Sequence, residues 1–139
     1  MIYLVREGDA GDRSSWPGPD PLRPITKEGW RQARALVGLM DGLWVGRVLS
    51  SPSLRCRQTV IPFADERGLE VETDRLLSDC FSVEMALSAL HRIGDVSAVV
   101  CTHAEVMEAL MQRLPAEPVA QGAADWLRTI EPERLGVAS

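Results

Sequence analysis

The sequence predicts an α/β fold, a three-layer α/β/α sandwich around a mostly parallel central sheet, and three observations lead there. Short apolar runs of strand length alternate with longer stretches of helical period. The run Ser97–Thr102 (S-A-V-V-C-T) is apolar without alternation, the pattern of a strand covered on both faces. Two such runs deliver polar residues at their carboxyl ends, Arg6-Glu7 and Thr102-His103, where open α/β sheets gather ligands. With 139 residues, 45% hydrophobic and 25% charged, the chain has the size and balance of one globular domain, read as 1–139.

Ile2–Val5 is the expected first strand, followed from Gly8 to Pro24 by a loop rich in Gly, Pro, Asp and Ser. Thr26 is placed to cap a helix, with Glu28 near its start and Trp30, Ala33, Val37 and Met40 at helical spacing. Gly42 or Gly46 closes that segment before a second strand near Arg47–Ser50. Ser51-Pro52-Ser53 opens the next helix, whose apolar side carries Val60, Phe63 and Ala64. A strand near Leu69–Glu72 precedes a helix from about Val83 to Arg92, with Met85, Leu87 and Leu90 toward the core. The strand ending at Thr102 leads into a helix from about Ala104 to Arg113. In the section from Pro115 to Ser139, Trp126–Ile130 reads as a final strand.

A net charge of −5 argues against a nucleic-acid-binding or anionic-membrane surface. Lys27 is the only lysine, so the positive charge is arginine, suited to bidentate contacts with phosphate or carboxylate. Cys56, Cys80 and Cys101 are odd in number and lack C-x-x-C spacing, and read as small buried hydrophobes in a reducing compartment. Neither His91 nor His103 has metal-ligand spacing to other donors, and no metal or cofactor is expected. No segment resembles a signal peptide or approaches 18 apolar residues, so the expected compartment is the cytoplasm.

Chemistry concentrates in three stretches: L-V-R-E-G at residues 4–8, S-S-P-S-L-R-C-R-Q-T at residues 50–59, and C-T-H-A-E-V at residues 101–106. In that order they resemble the motifs of the histidine phosphatase superfamily, the phosphoglycerate-mutase-like proteins. The segment D-P-L-R-P-I-T-K-E-G-W-R-Q-A after the first strand is similar too, and small SixA-type phosphohistidine phosphatases are comparable in size. In that family a strand ends in Arg-His-Gly, and the histidine takes the phosphoryl group. The resemblance implies a phosphate pocket of Arg6, Arg55 and His103, with Glu7 at the nucleophile's position. His103 would also serve catalysis, and Asp79 or Glu84 would supply the leaving-group acid. The implied ligand is a small phosphorylated molecule or a phosphohistidine-bearing protein.

Glutamate reverses the charge expected at that position. A carboxylate about 4 Å from a phosphate costs on the order of 4 kcal/mol per charge pair at an effective dielectric near 20. The expected compromise sets Glu7 against Arg6, Arg55 or His103, with phosphatase turnover severely reduced or absent. Two other readings stay open: an acid/base pair of Glu7 and His103 acting on a non-phosphorylated substrate, and a non-catalytic phosphate-binding module.

Other residues invite plainer roles. Arg57 is a rim or solvated helix residue, Glu105 a first-turn carboxylate favoured by the helix dipole, and His91 a surface residue. Trp16, Trp30, Trp44 and Trp126 read as packing residues, Trp16 alone being considered for substrate contact. Asp9, Asp12, Arg13, Asp20 and Arg23 read as solvated, with Arg23 also bearing on specificity.

Overall fold

The computed structural model describes residues 1–80, 82–114, 116–118 and 125–135. Its strands are β1 (Ile2–Arg6), β2 (Arg47–Ser50), β3 (Val71–Thr73), β4 (Ala98–Thr102), the two-residue β5 (Glu117–Pro118) and β6 (Leu127–Ile130). They form one sheet in the order β3-β2-β4-β1-β6-β5. The first four in that order run parallel, while β6 lies antiparallel to β1 and β5 antiparallel to β6.

Among the described residues, four α-helices cover the sheet: α1 (Lys27–Leu39), α2 (Leu54–Arg67), α3 (Val83–Ile93) and α4 (Ala104–Arg113). Strand alternation divides the core in two. Ile2, Leu4, Ala98, Val100 and Ile130 pack against Ala86, Leu90, Met107 and Leu110 of α3 and α4. Tyr3, Val5, Val99, Cys101 and Leu127 pack against Leu36, Val60 and Phe63 of α1 and α2. This is the expected three-layer α/β/α sandwich.

The helix starts follow their capping chemistry. The Thr26 hydroxyl accepts from Gly29 N–H, and Ser82 does the same for Met85 at the start of α3. Gly68, in the left-handed region at φ 67°, ends α2. Gly29 permits a close crossing, because a Cβ there would lie 2.3 Å from the Asp9 carbonyl oxygen. That crossing draws the chain leaving β1 against α1.

Several expectations needed correction. Met85 is exposed, because α3 buries Ala86, Ala89, Leu90 and Ile93 instead. Trp44 is 70% exposed, covering Gly46 with its ring edge, and Cys80 is exposed whereas Cys56 and Cys101 are buried. The third strand begins at Val71, two residues later than expected, after the turn that Gly68 makes. From Pro115 onward the final strand at Leu127–Ile130 is present, while Pro115, 119–124 and 136–139 lie outside the described residues.

Candidate active site

The carboxyl ends of β1, β2 and β4 meet at one edge of the sheet, and helices α2 and α4 begin there. Glu7 N–H donates to the Thr102 carbonyl and Ser51 N–H to the Cys101 carbonyl, which ties the three strand ends together. Gly8 N–H donates to Thr59 Oγ1, which in turn donates to the Arg55 carbonyl, so the β1 end is pinned to the first turns of α2. A cavity of about 360 Å³ opens at this edge, lined among others by Arg6, Glu7, Gly8, Arg23, Arg55 and Ala104.

Arg55, in the first turn of α2, is buried. Its Nη1 donates to the Asp20 carbonyl at 2.9 Å, and its Nη2 lies 3.1 Å from Asp20 Oδ2 and 3.2 Å from His103 Nδ1. The His103 ring is fully buried beneath the cavity, with Nε2 2.8 Å from Ser51 Oγ and 3.8 Å from Cys56 Sγ. Guanidinium only donates, so Nδ1 accepts, and the arrangement is that of a neutral ring protonated at Nε2. Burial lowers the pKa of His103, but Cys56, Asp79 and Glu7 raise it, and the balance lies above the ordinary value. A protonated ring would set Nδ1–H against the Arg55 donor, so charging His103 requires that contact to open. The Cys56 thiol lies below its ordinary value: burial raises it, and Cys101, His103 and Arg55 more than offset that.

Glu7 lacks comparable partners. Its Oε1 is 3.8 Å from Arg55 Nε and 3.9 Å from His103 Nδ1, beyond hydrogen-bond distance. Glu7 Oε2 and Arg55 Nε are both buried without a hydrogen-bond partner among the described residues. Burial pushes the carboxyl up to about 7, with Cys56 adding to the rise and His103 and Arg55 opposing it.

The expected site residues are thus brought together unevenly. Arg6, Glu7 and Arg55 line the cavity, while His103 sits behind them. Asp79 reaches the group, with Oδ2 3.7 Å from both Arg55 Nη2 and His103 Nδ1. Glu84 does not: it pairs with Arg113 of α4. Arg57 turns back to the Pro52 carbonyl, and Trp16 Nε1 donates to the Pro19 carbonyl within its own loop.

Asp20 was read as solvated and is instead central. Its carboxylate meets Arg13 and Arg23 at 2.9 and 3.0 Å, besides Arg55, and these arginines hold it well below the usual carboxylate range. No periodicity marks this residue, since it sits in a short 3-10 turn of a proline-broken loop. The donor atoms of Glu7, Cys56 and His103 lie within 4.8 Å of one another, a cluster that sequence spacing did not show. Arg55 against His103 and beside Glu7 makes that place unfavourable for a cation, and the surrounding arginines favour an anion.

Comparison with known proteins agrees with the motifs. Residues 2–86 match the profile of the histidine phosphatase superfamily (branch 1). A curated 8-oxo-(d)GTP phosphatase of Mycolicibacterium smegmatis is 29% identical over 116 residues, 80% of this chain. The chain spans 36% of that relative's length. Among solved structures, the protein histidine phosphatase SixA complexed with tungstate is similar at 26% identity and TM-score 0.69, over 81% of this chain and 75% of that one. Bacillus stearothermophilus YhfR shares the fold at 18% identity and TM-score 0.68, over 79% and 77% of the two chains.

Proposed function

We propose, for a chain that belongs to the histidine phosphatase superfamily (branch 1), that the cavity at the β1–β2–β4 edge is a phosphoryl-binding pocket in which Glu7 occupies the nucleophile's place. The observation that carries this reading is the convergence of Arg6 and Arg55 on one cavity, with His103 wired to Arg55 directly behind it. Guanidinium groups and the open N–H groups at the starts of α2 and α4 suit a tetrahedral anion. In a phosphatase the same donors stabilise the charge that spreads over the phosphoryl oxygens in the transition state.

Glu7 removes the imidazole that would accept the phosphoryl group. Its ionised form also repels the incoming anion, and its neutral form is a poor nucleophile. Phosphomonoester or phosphohistidine hydrolysis is therefore slowed on the order of 10⁴-fold or more. The relatives' activities share a phosphoryl group, so the ligand class is a phosphorylated small molecule or a histidine-borne phosphate. Assaying this protein beside Glu7→His on p-nitrophenyl phosphate and a phosphohistidine substrate tests the reading. Turnover by the variant alone supports a phosphatase pocket silenced at position 7; silence in both, with the variant folded, removes that support.

One observation favours a second reading. Glu7 titrates near neutrality only 3.9 Å from His103, as an acid/base pair acting on a non-phosphorylated substrate would. Under that reading Glu7→Gln abolishes an activity that Glu7→His does not restore.

A further inference from the structure

A second cavity, of about 290 Å³, adjoins the first and shares Arg6 and Ala104 with it. Strand alternation explains its position. Leu4 packs toward α3 and α4, so Arg6, two residues on, falls on the same face of β1. On the neighbouring β6, Ile130 packs toward that face and Arg128 is in register with Leu4. Arg128 therefore lies beside Arg6 on the side that α4 covers. Opposite them α4 presents the half-buried Met111 and, one helical turn before it, the edge of the buried Met107, and the carboxylates of Glu108 and Asp125 also line the space.

We propose that this cavity is the leaving-group subsite and takes a flat heteroaromatic ring, so that the pocket's preferred ligand is a mononucleotide-like phosphate. The inference rests on the phosphoryl reading of the first cavity. Thioether groups on one wall and guanidinium groups on the other, with Arg128 Nη1 donating to the Ala116 carbonyl, suit a π-face: sulfur contacts aromatic rings favourably, and arginine stacks on them. An aliphatic group would gain nothing from the arginines, and a simple sugar phosphate nothing from the methionines. Glu108 supplies an acceptor for the ring N–H groups of a base. The shared Arg6 stands where phosphate and ring portions would join, and the two cavities together reach the size that small ligands fill, roughly 300–1,000 Å³.

The test is calorimetry of the wild-type chain with inorganic phosphate, glycerol 3-phosphate and guanosine 5′-monophosphate, at about pH 6 where Glu7 is largely neutral. The nucleotide is expected to bind about tenfold or more tighter than the other two. Met111→Ala, a neutral truncation on the partly exposed wall, lowers that advantage several-fold and leaves phosphate affinity unchanged. Equal affinities for nucleotide and glycerol 3-phosphate overturn the subsite while leaving the phosphate pocket standing. So does a Met111→Ala protein that keeps the full nucleotide preference or loses phosphate as well. If phosphate itself fails to bind, the underlying reading fails and the subsite with it.

Discussion

On one side of the cleft, Arg55 is held by the Asp20 carbonyl and carboxylate and by His103, which is itself fixed by Ser51. On the other, Glu7 stands 3.8 Å or more from its nearest cationic partners, with one oxygen buried and unmatched. The two groups are near neighbours on the same sheet edge, yet one is wired into the fold and the other is not. Charged groups inside proteins are normally satisfied, and each exception asks for a reason. Here the arginine side has the geometry of an anion site with its internal counter-ion, Asp20, in place. The glutamate side is a carboxyl held only by two long ion contacts, and the Arg55 Nε beside it is unmatched too. The difference separates what holds the pocket together from what controls its chemistry.

Removing the wired side should have the largest effect. Arg55→Ala is expected to weaken sulfate binding about a hundredfold, about 3 kcal/mol, as loss of charge-assisted contacts to an anion would. Calorimetry on the folded variant checks it, and an unchanged affinity would move the anion site elsewhere.

Removing the unwired side should instead stabilise the protein, with a sign that follows from the titration. The Glu7 carboxyl is raised from 4.5 to about 7 on folding, so the native state holds the proton more tightly. Stability therefore falls as pH rises through that window, by roughly 3 kcal/mol in full, and nothing is lost below it. Glu7→Gln, which cannot ionise, should match the wild type at about pH 4 and exceed it at about pH 8. Urea unfolding at the two pH values decides it, and equal stability at both would mean that Glu7 has found a partner.

The smallest expected effect is at Asp20. Asp20→Asn removes one negative charge from Arg55 but keeps the backbone carbonyl that orients it. Sulfate should bind about threefold tighter. Weaker binding would show that the carboxylate itself positions the arginine.

The elements carrying the motifs were legible because their signals are local. Ile2–Val5 and Ser97–Thr102 are apolar runs of strand length, Thr26 is an N-cap, and Arg55 falls one residue into its helix. What escaped depends on contacts distant in sequence. Asp20 reaches Arg55 across 35 residues from a loop whose composition reads as solvated. Cys56 was legible as a buried thiol but not as a neighbour of His103, which sits 47 residues later. Glu84 and Met85 were misplaced for one reason: α3 turns its alanine, leucine and isoleucine stripe inward, which sends both outward. The likeness of L-V-R-E-G to a known motif located Glu7, but only the fold shows that one of its oxygens is buried without a hydrogen-bond partner among the described residues.

The most direct test of the account is the affinity for sulfate, an anion whose charge is constant between about pH 6 and about pH 8, measured across that range for the wild type and Glu7→Gln. The account predicts that wild-type affinity falls as Glu7 ionises and that the fall is much smaller in Glu7→Gln, leaving only the contribution of His103. Failure of both proteins to bind sulfate, or identical pH profiles, would contradict it.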